Sequence, residues 1–249
     1  MNGEELAEGV FGFETHGVVN WYLVQDGDRL AAIDAGLSSS WDEFTGFVKK
    51  HNRKVSDLEA VVLTHAHVDH FGFAARARKE AGARIYAHHD EAALVRHPIR
   101  PVKSDRLPLF YMKYAATRRL MLELGKAGFR THGVSDFEEV QGDERVLDGV
   151  PGKPKMIFTP GHTHGHCAVH LEERGVVFPG DAWVTRDPYT GREGPRLVAR
   201  SATNNVERNL KSLELLEKID APLALTGHGA PWRESAAEGA REARANGAA

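Results

Sequence analysis

Six consecutive residues, His65-Ala66-His67-Val68-Asp69-His70, hold four side chains of metal-ligating type. The run follows LEAVVLTH (58–65), an apolar stretch of the kind that forms a buried strand. In extended backbone His65 and His67 point to the same side, because side chains alternate with a period of two. Asp69 and His70 begin the next turn and can point elsewhere. Four donors are more than one tetrahedral ion takes from so short a segment, and they suit two adjacent ions sharing one loop. Imidazole and carboxylate donors without thiolate fit zinc, and also iron or manganese. A purely structural role for all four would bury polar groups without partners, which is costly.

The remaining donors fall where apolar runs stop. RLAAID (29–34) ends at Asp34-Ala35-Gly36. KMIFTP (155–160) leads into Gly161-His162-Thr163-His164-Gly165-His166. GVVFPGD (175–181) ends at Asp181, and PLALTGHG (222–229) presents His228. In each, a strand ends and a glycine permits a sharp turn beside a His or Asp. Loops at strand ends are where α/β folds place ligands. His164 reads as having no catalytic role, and His88, His89, His97, His132 and His170 as surface or packing residues. The single cysteine, Cys167, excludes an intrachain disulfide and a cysteine-based zinc cluster. It reads as a small buried hydrophobe.

Between these points the chain alternates. Strands at 17–24 and 29–34 form a hairpin across Asp26-Gly27-Asp28. A helix over 41–51, the strand at 58–65, a helix over 71–83 and a strand at 83–89 follow. This β-β-α-β-α-β order predicts a layered α/β fold. Residues 90–136 break the rhythm with Pro98, Pro101 and Pro108, then a helical, aromatic stretch over 109–129. Residues 90–136 hold nine Lys/Arg against five Asp/Glu and read as a helical insertion over one edge of the core. It is either a structural helical pair with a solvated basic face or a wall for an apolar or anionic substrate. Strands at 167–173 and 175–181 come later, 186–204 reads as loop, 204–219 as an amphipathic helix, and the tail after Pro231 as a last helix that frays near Asn246. Residues 1–249 read as one domain.

Net charge is −3, from 32 basic and 35 acidic residues, which argues against a sequence-independent nucleic-acid binder. No apolar run approaches the roughly 20 residues that span a bilayer. The start, MNGEELAEGVFGFE, is acidic and lacks the pattern of a secretory signal, so the expected location is cytoplasmic, with no membrane partner.

The HxHxDH run, with Asp34, His162, Asp181 and His228 in matching context, resembles the metallo-β-lactamase fold superfamily of hydrolases from about Val18 to His228. The resemblance implies an αββα four-layer sandwich with metals at one edge of the two sheets. It implies one ion held by His65, His67 and His162, a second held by Asp69, His70 and His228, and Asp181 bridging both. Asp34 matches a position that supports the ligands, and His166 a histidine outside the ligand set. Two divalent ions follow, zinc first, with iron or manganese as alternatives. A hydroxide between them would be the nucleophile, and Asp69 would bind metal, orient the hydroxide and pass a proton.

Departures from related groups narrow the substrate. Exported β-lactamases of this fold often use arginine or cysteine at ligand-region positions, where this chain has His70 and Asp181. Glyoxalase II shares the ligand pattern but grips glutathione with a C-terminal helical domain, for which too few residues follow His228. Nucleases of the fold need basic exosites, and flavodiiron enzymes replace a motif histidine with glutamate. The N-acyl-homoserine lactonases are similar in length, ligand set and insertion. The implied activity is a lactonase-like or thioesterase-like hydrolase acting on a lactone, ester or thioester in a small molecule. Tyr111 and Tyr114 would belong to its acyl pocket. The alternatives are a persulfide dioxygenase-like enzyme with one iron at His65, His67 and His162, or a phosphodiesterase. The apolar insertion suits a homodimer.

Overall fold

The computed structural model describes residues 1–99, 108–128 and 130–249. The first sheet opens with four antiparallel strands, β1 (Asn2–Ala7), β2 (Val10–Thr15), β3 (Val19–Asp26) and β4 (Arg29–Ile33). Three strands then add in parallel, β5 (Leu58–Val62), β6 (Arg84–His88) and β7 (Glu138–Val140). Parallel neighbours need a crossover. Helix α1 (Ser40–Lys50) supplies it between β4 and β5, and α2 (Val68–Phe71) with α3 (Ala74–Glu80) between β5 and β6. After β7 come β8 (Glu144–Val146), β9 (Lys155–Phe158), β10 (Cys167–Leu171), β11 (Val176–Gly180), β12 (Val184–Arg186), β13 (Glu193–Arg196) and β14 (Leu223–Thr226). The second sheet runs β14-β11-β10-β9-β8, with β14 parallel to β11, while β12 and β13 form a separate ribbon.

Strand β3 shows why the sheets stack. Tyr22 and Val24 face the second sheet and pack with Val169, Phe178 and Leu225. The Tyr22 and Phe178 rings lie 5.1 Å apart. Trp21 and Leu23 face the other way, onto Trp41 and Phe44 of α1. A strand buried on both faces reads as a continuous apolar run, as GVVNWYLV does. On the far side, Ala168 and Val177 pack against Leu213 and Leu216 of α6 (Val206–Leu216) and against Ala236 and Ala240 of α7 (Ala236–Asn246). Helix, sheet, sheet and helix therefore stack as the resemblance implies.

Three expectations change. The helix predicted over 71–83 breaks into α2 and α3 at Gly72-Phe73. A Cβ at Gly72 would lie 2.1 Å from the carbonyl carbon of Leu37, so this turn is pressed against the loop after β4. The stretch expected to be loop over 186–204 contains the end of β12 and all of β13. The first 37 residues form two hairpins' worth of strands, with β1 and β2 ahead of the expected pair.

Within 90–136 lie α4 (Ala92–Arg96), a 3-10 turn at Pro108–Tyr111, and α5 (Ala115–Gly128). Pro101 and Phe129 lie outside the described residues. Tyr111 and Leu120 pack on Val18, Val184 and Tyr189, while Ala127 and Leu124 reach Val19, Leu37 and Val68. Helix α5 thus lies beside α2, which carries Asp69 and His70. Among the described residues no helix is long and apolar enough to cross a membrane.

Candidate metal centre

The seven expected donors come together at one edge of the sandwich. His65 and His67 leave the end of β5, and Asp69 and His70 sit on α2. His162 lies in the loop after β9, Asp181 follows β11, and His228 follows β14. Two groups form. His67 Nδ1 lies 3.1 Å from His65 Nε2 and 3.0 Å from His162 Nε2. His228 Nε2 lies 3.4 Å from His70 Nε2 and 3.7 Å from Asp69 Oδ2. Asp181 stands between the groups. Its Oδ2 is 3.2 Å from His228 Nε2 and 3.5 Å from His162 Nε2, and its Oδ1 is 3.6 Å from His70 Nε2.

This donor set fits cations. Zinc–nitrogen bonds of roughly 2.0–2.1 Å in a tetrahedron put ligand nitrogens about 3.4 Å apart, close to the first group's spacing. Asp181 Oδ1 is buried with no hydrogen-bond partner, an unmet acceptor at the junction of the two groups. Several donors are also aimed from behind, as metal-binding histidines are. His70 Nδ1–H donates to Asp34 Oδ2 at 2.9 Å, and His228 Nδ1–H donates to the Val18 carbonyl at 2.6 Å. Asp34 holds a left-handed backbone, φ +60°, which is uncommon for a residue with a side chain. Its carboxylate is pinned there by the Thr64 N–H (2.7 Å) and the Thr64 hydroxyl. His166 stands outside both groups. Its Nε2 accepts the Asp181 N–H at 3.1 Å, and burial pushes its pKa down to about 3, so it anchors the Asp181 loop as a neutral ring.

Glycine at 227 serves close approach. A Cβ there would lie 2.2 Å from Asp181 Oδ1 and 2.6 Å from His70 Cε1. Gly227→Ala is therefore expected to displace one or both side chains. Overpacking of this kind costs about 1–3 kcal/mol. Elemental analysis should find fewer ions per chain in the variant than in the wild type; an unchanged metal content would contradict the tight packing.

The two groups differ in charge before any ion binds. Burial holds His65 and His162 well below the ordinary imidazole pKa, and lowers His67 as well. Burial acts the same way on His70, but the Asp181 and Asp34 carboxylates outweigh it and raise its pKa to about 10. His228 is likewise raised against its burial, chiefly by Asp181. At neutral pH the three imidazoles of the first group are neutral, while His70 is protonated and His228 is biased the same way. An ion must displace those protons. Loading the second group should release at least the His70 proton and strengthen as pH rises toward 10, while loading the first releases fewer. Calorimetry in buffers of different protonation enthalpy counts them; equal release in both steps would contradict this assignment.

The other histidines are accounted for by packing or exposure. His88 stacks on Phe158 with ring centres 4.1 Å apart, and its Nδ1 accepts the Asp90 N–H. His89, His97, His132 and His164 are exposed, and His170 is buried. Sequence reasoning missed Thr64, the Val18 carbonyl and Glu91. Glu91 is buried beside the ligand loops and its carboxylate binds backbone N–H groups in two of them. None of the three has a spacing signal, because their partners are main-chain groups or lie far away in sequence.

The profile of the Metallo-beta-lactamase superfamily matches residues 15–228, and the chain belongs to that superfamily. It is 26% identical over 245 residues to "Probable metallo-hydrolase YflN" of Bacillus subtilis, covering 92% of this chain and 87% of that protein. Among solved structures, the metallo-beta-lactamase family protein TTHA1429 of Thermus thermophilus superposes with a TM-score of 0.70 at 24% identity, covering 96% of this chain and 79% of that one. A second similar structure, TTHA1623 in a di-iron-bound form, gives a TM-score of 0.63 at 21% identity over 93% of this chain and 97% of that one. These structures show the fold, and the fold implies divalent metal ions.

Proposed function

We propose that this chain is a dinuclear metal-dependent hydrolase that opens a carbonyl-type bond, a lactone, ester or thioester, in a small molecule. The observation that carries the reading is Asp181, one carboxylate set between a three-imidazole group and a group of two imidazoles and a carboxylate. His65, His67 and His162 would hold one ion, Asp69, His70 and His228 the other, and Asp181 would bridge them. Zinc suits both sets, as do iron and manganese. Bound there, such a pair supplies Lewis acidity and a water acidified to near neutral pH.

The protein's own groups do the rest. The Asp69 carboxylate has its side chain 12% exposed, against 4% for Asp181, so it is the acid with more access to a substrate. It would orient the attacking water and carry its proton to the leaving oxygen or sulfur. Asp34 keeps His70 in one tautomer, and the Val18 carbonyl does the same for His228. Val68, next to Asp69, packs with Leu124 of α5; both are partly exposed and would offer apolar contact to an acyl chain. Tyr111 contributes packing to this wall, since its hydroxyl donates to the Ala249 carbonyl at 2.7 Å. The lactonase-like reading rests on this wall together with the ligand set.

The test joins elemental analysis of freshly purified protein to a panel of one N-acyl-homoserine lactone, one acyl thioester and one aryl ester. Two divalent ions per chain, with turnover lost on chelation and restored by zinc, support the proposal. One iron per chain with oxygen uptake on a persulfide would replace it with sulfur oxidation. Turnover of bis-p-nitrophenyl phosphate alone would replace it with a phosphodiesterase.

A further inference from the structure

We propose that Glu91 is the positioning carboxylate of the three-imidazole group: it fixes the separation of the two ligand loops by accepting a backbone N–H from each. The inference rests on the dinuclear reading above and extends it to a residue outside the ligand set.

Glu91 closes the 3-10 turn His89–Glu91 that follows β6, and is 1% exposed. Its Oε2 accepts the Ala66 N–H at 3.0 Å, and its Oε1 accepts the Gly165 N–H at 2.8 Å. Ala66 lies between His65 and His67. Gly165 lies in the loop that carries His162. One side chain therefore straps a loop of the first sheet to a loop of the second, and these two loops present all three imidazoles. Contact is close: a Cβ on Gly165 would lie 2.4 Å from the Glu91 nitrogen. Both carboxylate oxygens are needed as acceptors. An amide in its place would turn an N–H donor toward one of the two backbone donors. A buried carboxylate is costly unless it is paired or hydrogen-bonded. Here a backbone N–H from each ligand loop supplies the pairing.

The strap predicts a selective effect. Outer partners of ligands typically change metal affinity by about 10–100-fold. Cobalt(II) titration of the wild type, Glu91→Gln and Asp34→Asn separates the two positions, read by chelator competition and by the shifted imidazole N–H resonances of the ligated histidines. Glu91→Gln should weaken the three-imidazole position by about 10–100-fold and leave the His70/His228 position within about twofold. Asp34→Asn should show the reverse, since Asp34 holds His70. Unchanged binding in Glu91→Gln, or equal weakening at both positions, overturns the proposal. A wild type that binds no cobalt overturns the dinuclear reading itself, whereas two bound ions with an indifferent Glu91→Gln overturn only the role of Glu91. If metal-free Glu91→Gln has no cooperative thermal transition, Glu91→Asp, which keeps the charge and shortens the reach, takes its place in the same titration. Selective weakening of the three-imidazole position then supports the strap, and wild-type binding overturns it.

Discussion

Asp181→Ala is expected to cost about three orders of magnitude in turnover and at least one bound ion. An ion acting as a Lewis acid supplies several kcal/mol of charge stabilisation, and each 1.36 kcal/mol is about tenfold in rate. Asp181 is where the two donor groups meet, so its removal affects both. It also strips His70 and His228 of their nearest shared counter-charge. Within the metal-free protein the His228 and His70 charges hold the Asp181 carboxyl well below its usual pKa, against the opposing effect of burial. The measurement is kcat on whichever panel substrate is turned over, with ions per chain determined on the same sample. Full metal content with full activity would show that Asp181 does not bridge.

Asp69→Asn separates binding from proton transfer. The amide keeps an oxygen for an ion but cannot take a proton. General acid–base catalysis contributes about 10²–10⁴-fold, so kcat should fall by that range with two ions retained. The side chain sits in the first turn of α2 beside His228, so the substitution alters little packing. Should kcat survive with both ions in place, the proton must travel by another route. Should an ion be lost, Asp69 acts mainly as a ligand. Elemental analysis beside the kinetics tells these cases apart.

Most of the candidate site is legible in the sequence because its signal is local. Each ligand loop follows an apolar strand and contains its own glycine, so position in the fold could be read from a few residues around His65, His162, Asp181 and His228. The layered fold was legible for the same reason, since β3, β5, β10 and β11 are apolar along most of their length. What escaped is non-local or weakly patterned. Strand β8 is exposed at all three positions, and β13 is Glu-Gly-Pro-Arg, which carries no alternation. The break between α2 and α3 is set by Leu37, which touches Gly72 from the loop after β4. Glu91 looks like any acid near a helix start. Only the folded chain brings it to Ala66 and Gly165, 25 and 74 residues away.

The donor groups draw on both sheets: His65, His67, Asp69 and His70 from the first, His162, Asp181 and His228 from the second. A pair of ions would thus act as a clasp across the sandwich. Anything bound only by the folded state stabilises it in proportion to the logarithm of its concentration, by about 2.7 kcal/mol at a hundred times its dissociation constant. Changes of that size alter how often a protein opens to proteases, and so how much of it a cell keeps. For this architecture, metal supply would set the lifetime of the protein as well as its turnover.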